Sequence, residues 1–265
     1  MNLPDKISYS CYNHWQMFNP LDLAALTKDL VSRGDGRKKY YRFRSSRFYG
    51  GIATADCVGC CLECVFCWSW EATRSPAETG RFYTAEDVAA KLLGIARKKK
   101  YKRLRISGGE PTLDRAHLER VLELVPGDYE FILETNGILI GDDPTYAEKL
   151  SRFRNLYVRV CLKGACEEEF ARLTGSVPEG FQLQLEALKN LVSRGIQTHP
   201  ACNISFSTDE HIMALKERLK AIHPAFEEFE VEELVLYPNV KERLDRLGVG
   251  YRTAYTPDNI PAVQI

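Results

Sequence analysis

The stretch Cys57-Val-Gly-Cys60-Cys61-Leu-Glu-Cys64-Val-Phe66-Cys67-Trp68 constrains this chain more than any other, because it gathers five of the nine cysteines into one short segment. Three of them, Cys60, Cys64 and Cys67, fall at the spacing C-x3-C-x2-C. Thiolates are soft ligands suited to zinc, copper or iron-sulfur clusters, and three in one loop can wrap a single metal centre. A closed structural site takes four protein ligands, so a three-cysteine loop leaves one coordination position for something else. The spacing alone leaves open a zinc site completed by a distant His or Cys. Cys57-x2-Cys60 and Cys61-x2-Cys64 are alternative registers, since both have paired-ligand spacing.

Clustered cysteines argue for metal binding in a reducing compartment rather than a disulfide framework. The others, Cys11, Cys57, Cys61, Cys161, Cys166 and Cys202, read as small core residues. Basic and acidic residues number 36 each, so net charge gives no global reason to expect nucleic acid or an anionic membrane as partner. No apolar run approaches the roughly 18 residues that span a bilayer, and the polar N-terminus lacks a signal-peptide core. The expectation is a soluble, cytoplasmic protein without a membrane partner. At 265 residues the chain suits one large domain with extensions.

Residues 1–47 read as an N-terminal extension. Asn19-Pro20 opens a helix closed by Gly34, with Leu23, Leu26, Leu30 and Val31 as its docking face. The stretch from Arg37 to Tyr49 interleaves basic and aromatic residues. It suits RNA contact or, alternatively, a strand or loop whose aromatics cover the core.

From residue 48 to 238 strands and helices alternate. Strands are expected near 50–55, 104–107, 129–134, 156–164, 196–205 and 229–237. Helix starts are marked by Thr84-x-x-Asp87, Asp114, Asp143-Pro144 and Asp209. Six units predict an α/β fold, a partial (β/α)6 open barrel, with residues 239–265 as a C-terminal cap or tail. Polar groups collect at the C-terminal strand ends, where parallel α/β sheets build their sites. These are the cysteine loop, Gly108-Gly109-Glu110 and Glu134-Thr135-Asn136. A tight turn also accounts for Thr135-Asn136-Gly137.

The motif Cys60-x3-Cys64-x-Phe66-Cys67, followed by Gly108-Gly109-Glu110 after an apolar strand, resembles the radical S-adenosylmethionine (SAM) superfamily over roughly residues 48–238. The resemblance implies a 4Fe-4S cluster on Cys60, Cys64 and Cys67, with SAM chelating the unligated iron. It further implies that Gly108, Gly109 and Glu110 meet the SAM amine, that Phe66 sits by the adenine, and that Glu134, Thr135 and Asn136 share the rim. Lys163 is the candidate for the SAM carboxylate, His199 for a ribose or carboxylate contact, and Tyr237-Pro238 for closing the adenine side.

The implied chemistry is reductive cleavage of SAM to a 5′-deoxyadenosyl radical that abstracts hydrogen, fed by an electron donor such as flavodoxin or ferredoxin. Leu162-Lys163 is similar to the glycyl-radical-enzyme activases, although Cys161 departs from the acidic residue many of them carry. An open barrel suits a bulky substrate, so the first expected substrate is a protein or peptide, with RNA or a small metabolite, favoured by the stretch 37–49, as the alternative. A non-catalytic iron-sulfur or zinc protein is the remaining reading, and it leaves Gly108-Gly109-Glu110 unexplained.

Overall fold

Local sequence signals set the elements of the computed structural model, which describes residues 17–261. Cys11 lies outside the described residues. Helix α1 (Pro20–Val31) starts where the Asn19 side chain accepts from the Leu21 N–H and Pro20 occupies the first turn. Strands β1 (Lys38–Ser46) and β2 (Ile52–Cys57) follow, then the cysteine loop, α2 (Trp70–Arg74) and β3 (Arg81–Tyr83). Thr84 and Asp87 form a reciprocal capping box at the head of α3 (Ala85–Lys99).

Next come β4 (Arg103–Gly108), α4 (Arg115–Glu123), β5 (Glu130–Thr135), α5 (Ile138–Asp142), α6 (Pro144–Leu150) and β6 (Leu156–Leu162). Then follow α7 (Glu167–Thr174), α8 (Gly180–Ser193), β7 (Gln197–Asn203), α9 (Asp209–Ile222) and β8 (Glu230–Glu232). The chain ends through β9 (Leu234–Val235), α10 (Pro238–Leu247) and β10 (Ala254–Tyr255).

The sheet runs β3-β1-β2-β4-β5-β6-β7-β8, and β2 through β8 are all parallel. These six parallel strands are the expected partial barrel. Helices cover the outer face, so Leu104, Ile106, Phe131, Leu133, Val158 and Val160 are buried under them, while the inner face carries polar residues.

Three local expectations change. Residues 38–46 form an antiparallel strand, paired to β2 from Tyr40 to Ser46 and to β3 from Lys38 to Tyr40, so this part of the chain belongs to the sheet. Helix α1 docks through Pro20, Ala24, Thr27 and Val31, whereas Leu26 and Leu30 stay exposed. Small residues are needed there because Thr27 and Val31 lie against Gly59 of the cysteine loop. The sixth strand shrinks to three residues, since Leu234 and Val235 leave the sheet to pair with β10.

Candidate metal and cofactor site

The C-terminal strand ends surround a cavity of about 900 Å³. Cys60, Cys64 and Cys67 face it from the loop after β2, with Phe66 between them packed on Phe206 at 5.2 Å. Gly108, Gly109 and Glu110 reach it from β4, Glu134, Thr135 and Asn136 from β5, and Cys161 and Lys163 from β6. Tyr237 and Pro238 also line it. His199 is not among the lining residues. Its Nε2 is 2.6 Å from a Glu230 carboxylate oxygen, and its ring packs on Tyr157. Cys57 and Cys61 are fully buried and do not line the cavity either, which separates them from the C-x3-C-x2-C set.

The loop is pinned from many sides. Val58 N–H donates to the Lys39 carbonyl, Gly59 N–H to Ala72, Glu63 N–H to Thr174 and Val65 N–H to Leu173. Arg243, from α10, donates to the Val65 and Cys67 carbonyls at 2.6 Å each, with its guanidinium 4.2 Å from the Trp70 ring centre. A loop so held presents its thiols preorganised.

Gly108 and Gly109 make room for this loop. A Cβ on Gly109 would overlap the Gly59 carbonyl oxygen, and Gly108 has φ +92° with Cys57 and Asp56 alongside. Gly109 and Glu110 donate their N–H groups to the Cys57 and Gly59 carbonyls. The Glu110 carboxylate accepts from Thr112 N–H and hydroxyl, from the Thr135 hydroxyl at 2.7 Å and from Asn136 N–H at 2.8 Å. Glu110 and Thr135 thus lock the tips of β4 and β5 together. Asn136 extends that lock to sulfur, with Nδ2 3.2 Å from Cys61 Sγ and 3.6 Å from Cys60 Sγ.

Glu134 and Arg159 are paired inside the barrel. Glu134 accepts from Arg105, Ser107 and Tyr49. Burial alone would raise its carboxyl, but Arg105 and Arg159 outweigh this and hold it below its ordinary range. Arg159 meets Glu230 at 2.5 Å and Glu232 at 2.7 Å. Lys163 has no carboxylate within ion-pairing distance among the described residues. Burial pulls its ammonium down, yet Cys161, Glu232 and Cys64 nearby hold it above the ordinary lysine value.

The thiols bear on what the loop can hold. Burial pushes Cys64 and Cys67 up, whereas a hydrogen bond from Cys61 holds Cys60 down. Among the described residues, the Cys60, Cys64 and Cys67 sulfurs do not all lie within 4.8 Å of one another. Among the described residues the buried Lys38 ammonium has no hydrogen-bond partner; burial lowers it below the ordinary lysine value, and Cys57, Asp114, Glu110 and Cys60 surround it. Three thiols facing one cavity, with this ammonium behind them, form a donor set that fits an anionic metal-thiolate centre.

The model of the Radical SAM superfamily matches residues 56–219. The chain belongs to the radical SAM superfamily. Members of this superfamily use a 4Fe-4S cluster and SAM. A protein of Saccharolobus solfataricus named as a probable GTP 3′,8-cyclase is 29% identical over 140 residues, covering 52% of this chain and 42% of that one. SuiB of Streptococcus suis, solved bound to SAM, superimposes with TM-score 0.57 at 16% identity over 78% of this chain and 49% of its own. The anSMEcpe structure with bound SAM gives TM-score 0.52 at 18% identity over 66% and 49%. These two likenesses show the fold. The chain spans about half the length of the relatives it matches. Among the described residues, no helix is long and apolar enough to cross a membrane.

Four residues important here were missed in the sequence. Arg243 carries no local signal, because its carbonyl partners are distant in the chain, and Lys38 was visible only as one letter of the basic-aromatic stretch, without its burial. Gln184 has one: it interrupts the apolar face of α8, and its side chain donates to the Asn136 and Cys161 carbonyls while accepting from Lys163 N–H. Asp56 had a weaker one, as an acid inside an otherwise apolar or neutral strand, fully buried against Arg42 and Arg44.

Proposed function

We propose that this protein cleaves SAM reductively in the cavity and takes a hydrogen atom from a substrate admitted there, with Cys60, Cys64 and Cys67 holding the cluster. The observation that carries the reading is the convergence of these three thiols, one position short of a closed site, with Lys163 and the tips of β4 and β5 on a single cavity. When bound, cluster and SAM together supply a 5′-deoxyadenosyl radical.

The chain's own residues bind and orient. Lys163, without an ion-pair partner among the described residues, offers its ammonium to the SAM carboxylate. With the N–H groups of Gly109 and Glu110 already engaged, Gly108 and Gly109 offer carbonyl oxygens, acceptors suited to the SAM amine. Phe66, backed by Phe206, presents a ring to the adenine, and Tyr237-Pro238 also lines the cavity. Glu110, Thr135 and Asn136 act as positioning residues, since their side-chain bonds are made within the protein. Glu134 does the same through Arg105, and His199 through Glu230.

A small-molecule substrate is favoured over a protein or peptide. The basic-aromatic stretch turns inward, with Arg42, Arg44, Phe48 and Tyr49 lining the cavity, and the curated relative's name points to a nucleotide. A low-potential donor such as flavodoxin or ferredoxin would supply the electron.

The test is anaerobic reconstitution with iron and sulfide, reduction by dithionite, addition of SAM, and chromatography for 5′-deoxyadenosine. Product is expected from the wild type, and none from Cys60→Ala, Cys64→Ala or Cys67→Ala. A fully loaded, reducible cluster that yields no 5′-deoxyadenosine would refute the proposal.

A further inference from the structure

Of the charges facing the cavity, those on β1 do not balance. Arg105 is answered by Glu134 at 2.6 Å, and Arg159 is shared by Glu230 and Glu232, which leaves one negative charge over there. Asp56, wholly buried, faces two guanidiniums at once: Arg42 Nε at 2.6 Å and Arg44 Nε at 2.7 Å. One carboxylate between two arginines leaves one positive charge over. Arg42 spends only its Nε on Asp56, and among the described residues both of its terminal nitrogens are without a hydrogen-bond partner. Arg44 keeps one terminal nitrogen free in the same way.

The backbone has been adjusted to produce this arrangement. A register shift between Tyr40 and Arg42 interrupts the pairing of β1 with β2. Without it, Tyr40, Arg42 and Arg44 would share a face by strand alternation. With it, Tyr40 stacks on Phe43 at 5.7 Å beneath the helices, while Arg42 and Arg44 turn to the cavity. Such a bulge re-aims side chains beside active sites. The Trp68 ring completes the corner, 5.5 Å from the Arg42 guanidinium carbon and 5.8 Å from that of Arg44, lining the cavity and 40% exposed.

Resting on the reading of this cavity as a substrate chamber, we infer that Arg42, Arg44 and Trp68 form a subsite for an oxyanion of the substrate, a phosphate or carboxylate, held apart from the SAM carboxylate at Lys163. The free edge of the Arg42 guanidinium supplies paired donors of the geometry that such oxyanions accept. The Trp68 face beside them suits a planar group adjoining the anion. The same placement argues against RNA lying along an outer face. Tyr40 is buried, Phe43 packs beside it, Tyr41 is half-buried with its hydroxyl on Ser69, and Phe48 and Tyr49 line the cavity, so among the described residues this stretch presents no fully exposed ring.

The test is calorimetry under nitrogen on the reconstituted, SAM-saturated protein, titrated separately with inorganic pyrophosphate and with succinate. One-site binding is expected, weakened by added salt, and at least about tenfold weaker in Arg42→Gln. Asp56 keeps Arg44 in that variant. Arg42→Lys, which retains charge but loses the fork, should fall between. Tighter pyrophosphate assigns a phosphate, and tighter succinate a carboxylate. No binding of either anion, binding unchanged in Arg42→Gln, or SAM affinity falling in parallel with it would overturn the assignment. Because anion binding needs no cleavage of SAM, the subsite and the radical chemistry fail independently.

Discussion

Glu230 is the residue whose pH dependence is most clearly set by its neighbours. Burial would raise its carboxyl, but hydrogen bonds from His199 and Arg159 pull it down to about 2 from the ordinary 4.5. A depressed folded-state value means that the charged form stabilises the fold. That contribution is fully present above about pH 5 and is lost as pH falls towards 2. The difference in thermal midpoint between wild type and Glu230→Gln should therefore stay constant from neutral pH to about 5, then shrink on further acidification. A constant difference down to pH 2 would contradict the pairing. At Gly109 the constraint is steric rather than electrostatic. Gly109→Ala places a methyl on the Gly59 carbonyl, so a loss of roughly 1–3 kcal/mol in denaturant unfolding is expected, together with reduced iron loading. The Gly108-Gly109-Glu110 motif was legible in the sequence, but its reason was not. The glycines admit the protein's own loop, a contact between segments about fifty residues apart.

Among the elements, α10 has a larger role than an end cap. Its Arg243 reaches back 178 residues to the Val65 carbonyl and also holds Cys67. Removing it leaves two carbonyls of the cysteine loop without this donor, at a cost of about 1–3 kcal/mol each. Arg243→Gln should lower iron content after reconstitution and the thermal midpoint together, and Arg243→Lys should restore only part of either. Full iron loading in Arg243→Gln would show the clamp to be dispensable. Strand β1 makes the complementary point. Its basic and aromatic letters were visible in the sequence, whereas the bulge that sorts them into a covered aromatic side and an inward basic side is a property of its register on β2. Helix α1 was located by its cap, yet its docking face was misassigned. Leucine spacing reports amphipathicity, while the close approach of Gly59 selects the small side of the helix.

For the whole molecule, the division between cluster cysteines and the rest is the simplest property to measure. Cys57 and Cys61 are buried away from the cavity, so Cys57→Ala and Cys61→Ala should still load iron and sulfide near four each, with only modest destabilisation. Cys60→Ala, Cys64→Ala and Cys67→Ala should fall well short of that loading. Equal losses across all five variants would return the alternative registers to consideration. The sequence alone determined the cysteine spacing, the six βα units and the strand ends where polar groups collect, because each depends on residues near one another in the chain. Tertiary structure alone decided that two arginines share the buried Asp56, that Arg243 grips the metal loop and that His199 turns to Glu230. Those outcomes depend on which distant segments are brought together, and on the desolvation that makes a buried charge take whatever partner the fold provides.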